Sequence, residues 1–482
     1  MKIYKYPDEA ALREIITRPT KDAADLTATV STVLARIKKE GDAAVLDYEL
    51  QFDHVDLRSL SSPQSPAPVP EGDLPSPSSP SASPSSPSAS ASSPSAPLAS
   101  PSLVVGGPSA DISSPLLVTP AEFTAAEAAV SPELKAALQL AHDNIARFHQ
   151  AQRYPGIDVE TAPGVRCWQR SVPIEKVGLY IPGGTAPLFS TVLMLATPAR
   201  IAGCREIVLC TPPARDGSVH PAILVAARIA GVSKVFKAGG VQAIGAMAYG
   251  TESIPKVFKI FGPGNQYVQC AKQLVSLSDV AIDMPAGPSE VEVIADATAN
   301  PAFVAADLLS QAEHGVDSQV LLVTTSESLL TAVEAEVSLQ LTALPRKDIA
   351  AAALGNSRLV LVASIDEALA ISNRYAPEHL IIETADAEAL AERVVNAGSV
   401  FIGHLTPESA GDYASGTNHT LPTNGYATAY SGVNLDAFCR KITYQQITPE
   451  GLQSIGRAVE LMAEAEQLSA HKNAMTVRLQ SL

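Results

Sequence analysis

Cysteine is scarce in this chain. Only five of the 482 residues are cysteines (Cys167, Cys204, Cys210, Cys270 and Cys439), scattered with no CxxC pair. That excludes a disulfide frame or a thiolate zinc knuckle and suggests reduced thiols in a cytosol-like compartment. Cys167 or Cys439 qualifies as a nucleophile by residue type alone, but an ordinary buried thiol is the simpler expectation. Positive charge is short as well: 34 Lys and Arg face 50 Asp and Glu, a formal charge of −16. Such a balance argues against nucleic acid or an anionic membrane as the main partner. It still permits an anionic cofactor, because backbone amides at helix starts hold phosphates. No apolar run reaches the length of about 18 residues that a membrane span needs, and the N-terminal MKIYKYPDEA lacks a signal-peptide core.

The composition that remains is that of a soluble globular protein, 46% hydrophobic and 17% charged, long enough for two or three domains. Residues 1–60 are patterned as helices, as in TVSTVLARIKKEGDAAVLDYEL. The texture then breaks. Between Pro63 and Pro115 lie fourteen of the 37 prolines, and only Glu71, Asp73 and Asp111 carry charge. A segment of this kind buries too little to offset its ordering entropy, so residues 61–115 are expected to form a disordered insertion. Residues 116–171 resume as a helical segment and connector.

From about Val172 short apolar runs alternate with helix-like segments. The first series is VGLYIPGG, EIVLC, KVFKAGG and KVFKIFGPGN. The second is EVEVIAD, QVLLVTT, SRLVLV, HLIIET and SVFIG. The fold class expected is α/β: two parallel-sheet, Rossmann-like βα domains over 172–282 and 283–435, with binding loops at the carboxyl ends of the strands. No internal repeat is evident, although the two series are candidates for related folds. Residues 436–482 form a helical tail, with Thr448 as N-cap, Pro449 at the first helical position and a stripe of Leu452, Ile455, Val459 and Leu468. Such a tail suits a dimer contact.

The polar candidates fall in a helix, the glycine turns, three further loops and the tail. In NPAFVAADLLSQAEHG, Asn300 caps a helix, Pro301 opens it and Gly315 ends it. Phe303, Val304, Leu308 and Leu309 seat that helix on a core. Asp307, Gln311 and His314 share its other face, and half a metal site and a solvated helix face are equally good accounts of them. The turns Pro182-Gly183-Gly184, Gly239-Gly240 and Gly262-Pro263-Gly264-Asn265 suit close approach of a nucleotide, yet none is a GxGxxG or GxxxxGK[ST] motif. The loop DMPAGPSE presents Ser289 and Glu290. YAPEHLII offers an adjacent acid and imidazole, Glu378 and His379, fit to activate water and shuttle a proton if the backbone is irregular there. GDYASGTNH and the tail add Asp412, His419, Glu466 and His471. Gln311, His314, Asp412 and His471 are nitrogen and oxygen donors suited to Zn²⁺, though spacing does not show that they converge.

Taken together, LYIPGGTAPLFSTVLMLATPA, KIFGPGN, AIDMPAGPSEV, DLLSQAEHG, YAPEHLII, PESAGDYASGTNH and AHKNA resemble the histidinol dehydrogenase family, and the likeness fails only in the Ser/Pro segment. The resemblance implies a cytoplasmic, zinc-dependent homodimer that oxidises L-histidinol to L-histidine through histidinal with two NAD⁺. It implies zinc on Gln311, His314, Asp412 and His471, and catalysis by Glu378 and His379. Substrate contacts fall on Ser289, Gln311, His314, His379, Asp412, His419, Glu466 and His471, and NAD⁺ contacts on Tyr180, Gln242 and Asn265. His471 and Glu466 are expected from the partner chain's tail. Two other classes compete: a zinc hydrolase of a small amide or imine with Glu378 as base, and a non-catalytic ligand binder.

Overall fold

The computed structural model describes residues 1–19, 23–60, 114–183, 186–232 and 234–482, and no side chain of residues 23–25. The Ser/Pro-rich insertion, apart from its last two residues, and Gly184 of the first glycine turn therefore lie outside the described residues.

Both apolar series form parallel sheets. In the first, the strands run in the order Lys234–Lys237, Glu206–Thr211, Lys176–Tyr180, Lys259–Phe261, Ala281–Ile282. In the second the order is Lys2–Lys5, Arg358–Leu361, Gln319–Thr324, Glu290–Ala295, His379–Glu383, Ser399–Ile402. Apart from the added edge strand, the two orders are the same: third, second, first, fourth, fifth. The two series are thus copies of one topology, each with a switch point beside its first strand. Strands such as Glu290–Ala295 and Gln319–Thr324 are buried at every position, as parallel strands covered on both faces must be.

Helices supply the covers. The helices Phe189–Ala202 and Pro221–Ile229 close one face of the first sheet. Gly240–Tyr249 and Gln266–Ser276 close the other, joined by Val30, Val33, Leu34 and Ile37 of the N-terminal helix Ala23–Glu40. Across the second sheet, Pro301–Ala312, Glu327–Leu341 and Lys347–Gly355 lie on one side, and Ile365–Tyr375 with Ala387–Ala391 on the other.

Three regions depart from the expected outline. The N-terminal region opens with a strand, Lys2–Lys5, which pairs with Arg358–Leu361. The connector contains Ile157–Ala162 and Val165–Pro173, and the tail begins with Cys439–Ile447; the three make an antiparallel sheet. Their residues are largely exposed or half-buried and carry no clean alternation, so neither period is visible in the sequence. Trp168 and Tyr444 stack across this sheet with ring centroids 5.2 Å apart. Past it, Thr448 caps the helix Pro449–Ala465 as expected. Leu452, Ile455 and Val459 are half-buried and Leu468 is exposed, so the stripe is only partly covered within one chain.

All five thiols are free, with Cys204 and Cys210 buried. Among the described residues no helix is long and apolar enough to cross a membrane.

Candidate active site

The Pro301–Ala312 helix begins as its sequence indicates: the Asn300 side chain accepts the Ala302 N–H at 2.9 Å, with Pro301 at the first position. Val304, Leu308 and Leu309 are buried, but Phe303 is 43% exposed. It sits about 100° around the helix from Val304 and so misses the buried face. The helix also ends sooner than Gly315: Glu313 is its C-cap, and His314 lies on the bend beyond. Gln311 and Asp307 are both buried, whereas His314 is exposed. Burial with no compensating partner charge pushes the Asp307 carboxyl up to about 7.

This helix runs antiparallel to the strands and delivers Gln311 to their amino ends. The other polar groups meet it there. The helix Ile365–Tyr375 stops at Ala376, whose φ of 52° is left-handed and whose N–H bonds the Ser372 carbonyl. Pro377 cannot extend the helix, so the chain turns at once and sets Glu378 at the sheet edge with His379 as the first strand residue. Gly398 packs against this turn; a Cβ there would meet the Glu378 carbonyl oxygen at 2.5 Å. The irregular backbone lets neighbouring side chains converge, with His379 Nδ1 3.7 Å from Glu378 Oε2. The second sheet therefore carries its polar cluster on the edge opposite to the carboxyl ends expected from α/β rules.

Glu290, the first residue of its strand, links the parts. Its N–H donates to Glu378 Oε2 at 2.9 Å, and its carbonyl accepts from Gln311 Nε2 at 3.0 Å. His379 Nδ1 lies 2.9 Å from Gln311 Nε2 and 3.3 Å from the Glu290 carbonyl. His379 Nε2 is buried with no hydrogen-bond partner and stands 3.6 Å from Asp412 Oδ1. Burial raises Glu378 to about 8. For His379 burial works against charge, yet the carboxyls of Glu408, Glu378 and Asp412 outweigh it and hold the imidazole above its ordinary pKa.

Asp412 comes from the short helix Glu408–Tyr413, which also brings Glu408. Ligand atoms of His314, Glu408 and Asp412 all lie within 4.8 Å of one another. His419 joins through its ring: Nδ1 is 2.9 Å from the Asp412 carbonyl and Nε2 3.0 Å from Thr191 Oγ1, on the first unit. Ser289 precedes Glu290 and is half-buried at the same edge. Glu466 and His471 are elsewhere. Glu466 caps the end of the tail helix Pro449–Ala465, and His471 lines a groove with Ile447, Leu452, Val459, Ala474, Met475 and Arg478.

A second polar edge lies at the carboxyl ends of the first sheet, at its switch point. The Tyr180 hydroxyl accepts the Gly240 N–H at 3.2 Å. Gln242 Nε2 donates to Glu49 Oε1 at 2.9 Å and Asp53 Oδ2 at 3.0 Å, and Glu49 also takes the Gly239 N–H. Asn265 caps the helix Gln266–Ser276 through the N–H groups of Tyr267 and Val268. The GPGN turn before it is fixed from below: buried Lys272 bonds the Gly262 carbonyl and pairs with Asp283, which accepts the Gly262 N–H. Gly262 has φ +133°, and a Cβ there would collide with the Tyr180 carbonyl at 2.1 Å.

Glu408, Glu49 and Asp53 were not among the sequence candidates. Glu408 was findable, standing four residues before Asp412 on a helix. Nothing local distinguishes Glu49 or Asp53.

A family model for histidinol dehydrogenase matches residues 109–479. The chain belongs to the histidinol dehydrogenase family. It is 59% identical to the histidinol dehydrogenase of Bacteroides thetaiotaomicron over the whole of both chains. It is 48% identical to that of Pectobacterium atrosepticum over 98% of this chain and 93% of the other. The crystal structure of histidinol dehydrogenase from Elizabethkingia anophelis superposes with a TM-score of 0.85 at 49% identity, covering 100% of this chain and 98% of that one. As a member of the family the chain is an oxidoreductase enzyme.

Proposed function

We propose that this chain oxidises L-histidinol to L-histidine through histidinal with two NAD⁺, in the last steps of histidine biosynthesis in the cytoplasm. The observation that carries the reading is the buried Glu378–His379 pair set between the Glu290 backbone and a group of nitrogen and oxygen donors.

Those donors fit a zinc site. The ligand atoms of His314, Glu408 and Asp412 lie within 4.8 Å of one another, close enough for small side-chain rotations to bring them onto one ion with bonds of about 2.0–2.2 Å. Gln311, His314 and Asp412 would hold one Zn²⁺ per subunit, with His471 completing the set from the partner's tail. Bound Zn²⁺ supplies a charged template for the amino and imidazole nitrogens of the substrate. The first-sheet edge at Tyr180, Gln242 and Asn265 would hold NAD⁺, which accepts the hydride in each oxidation. Ser289, His419 and Glu466 would complete the substrate contacts.

His379 Nε2, the ring nitrogen without a protein hydrogen-bond partner, stands 3.6 Å from Asp412 Oδ1 and is the nitrogen placed to accept a substrate proton when the imidazole is neutral. In the first oxidation Nε2 takes the hydroxyl proton as hydride leaves the carbinol carbon, giving histidinal. Glu378 then takes a proton from the water that adds to the aldehyde. After passing its first proton to solvent, His379 removes the hydroxyl proton of the hydrate anion as the second hydride leaves, giving the carboxylate.

Zinc-loaded protein mixed with histidinol and NAD⁺ tests the reading by the NADH absorbance at 340 nm. Growth of that band supports the dehydrogenase. Its absence, with ammonia released from a small amide, would overturn it in favour of a zinc hydrolase.

A further inference from the structure

Arg18 belongs to the N-terminal segment, 272 positions before Glu290 in the chain. Its guanidinium meets the Glu290 carboxylate with two parallel bonds, Nε to Oε2 at 2.7 Å and Nη2 to Oε1 at 2.9 Å. Both side chains are nearly dry, 12% and 2% exposed. Nη2 also donates to the Tyr375 carbonyl at 2.6 Å, and the guanidinium lies 3.9 Å from the centre of the Tyr375 ring. The Tyr375 hydroxyl in turn donates to Gln319 Oε1 at 2.8 Å, and Gln319 Nε2 reaches back to the Thr17 carbonyl.

One planar cation thus ties the Glu290 side chain to the Tyr375 backbone. Glu290 carries the N–H that fixes Glu378 and the carbonyl that fixes Gln311 and His379. Tyr375 stands three residues before Glu378, on the other side of the turn at Ala376 and Pro377. A fork of five donors makes these contacts in a single geometry; an ammonium on a flexible stem does not.

We propose that Arg18 is a positioning residue for the Glu378–His379 pair, acting through Glu290 and Tyr375 without touching substrate. This rests on the functional reading above for its kinetic consequences and on the Glu290 hydrogen bonds for its structural ones.

The decisive variant is Arg18→Lys, which keeps a cation beside the buried Glu290 carboxylate and so preserves folding. In the zinc-loaded enzyme its kcat with histidinol falls about 10- to 100-fold while KM for NAD⁺ stays within about twofold, because misplaced catalytic groups cost turnover more than cofactor binding. In Arg18→Ala, added methylguanidine restores part of the lost turnover and methylamine does not. Wild-type kcat in Arg18→Lys would overturn the proposal. If the wild type itself fails to oxidise histidinol, the functional reading falls instead. The positioning claim is then decided by crystals of Arg18→Lys: a Glu290 N–H to Glu378 distance opened beyond hydrogen-bond range sustains it, and an unchanged distance refutes it.

Discussion

At His379 the two ring nitrogens have different surroundings. Nδ1 is held between Gln311 and Glu290, whereas Nε2 is buried without a partner near Asp412. An unmade hydrogen bond in a dry place costs about 1–3 kcal/mol, so Nε2 is a nitrogen that a bound substrate group would satisfy. Replacing the ring by an amide, His379→Asn, is expected to cut kcat by about 10² to 10⁴ while bound zinc is retained. Steady-state rates and metal analysis check both halves, and unchanged turnover would remove His379 as the base. Glu378 yields a pH prediction. Burial raises its carboxyl to about 8, and only the ionised form accepts a proton from water. The rate of histidinal oxidation should therefore rise with pH to about 8 and level above it, and Glu378→Gln should abolish that limb. A rate already flat from pH 6 upward would contradict the assignment.

At the scale of elements, two sheets of one topology carry their polar clusters at opposite edges. The first sheet presents Tyr180 and the GPGN turn at its carboxyl edge, where the strand order switches. That turn is tight enough that Gly262→Ala, driving a Cβ into the Tyr180 carbonyl, should raise KM for NAD⁺ at least about tenfold. A wild-type KM in a folded variant would show that the turn does not shape the cofactor edge. The strands of both series, except the two-residue Ala281–Ile282, were legible in the sequence because each is a short, continuous apolar run ended by glycine, proline or polar residues. The antiparallel sheet of the connector and tail was not, since its faces are mostly solvated and a half-buried strand without alternation leaves no period. Gln311 was legible from helical spacing together with family motifs. His314 appeared to share its helix face but sits on the following bend, because the helix ends at Ala312. Arg18 and Glu290 became partners only through the tertiary fold, across 272 positions, which no local pattern records.

For the whole molecule, one chain leaves part of its apolar surface uncovered. Leu461, Met462, Leu468 and Val477 of the tail are 48%, 65%, 43% and 47% exposed. His471 lines a groove on that tail and is not a member of the His314, Glu408 and Asp412 cluster. A homodimer in which each tail covers the partner and brings its His471 accounts for both features. Mixing inactive His379→Asn and His471→Asn chains should then restore activity, because the heterodimer contains one site with neither substitution. Heterodimers that form but stay inactive would place His471 in its own subunit's site or outside the site. The central claim is that one buried acid–imidazole pair serves two successive oxidations. Counting NADH formed per histidinol consumed, with the product identified by chromatography, tests it most directly. A ratio of two with L-histidine as product is the predicted result; a ratio of one with histidinal released, or no NADH at all, would contradict it.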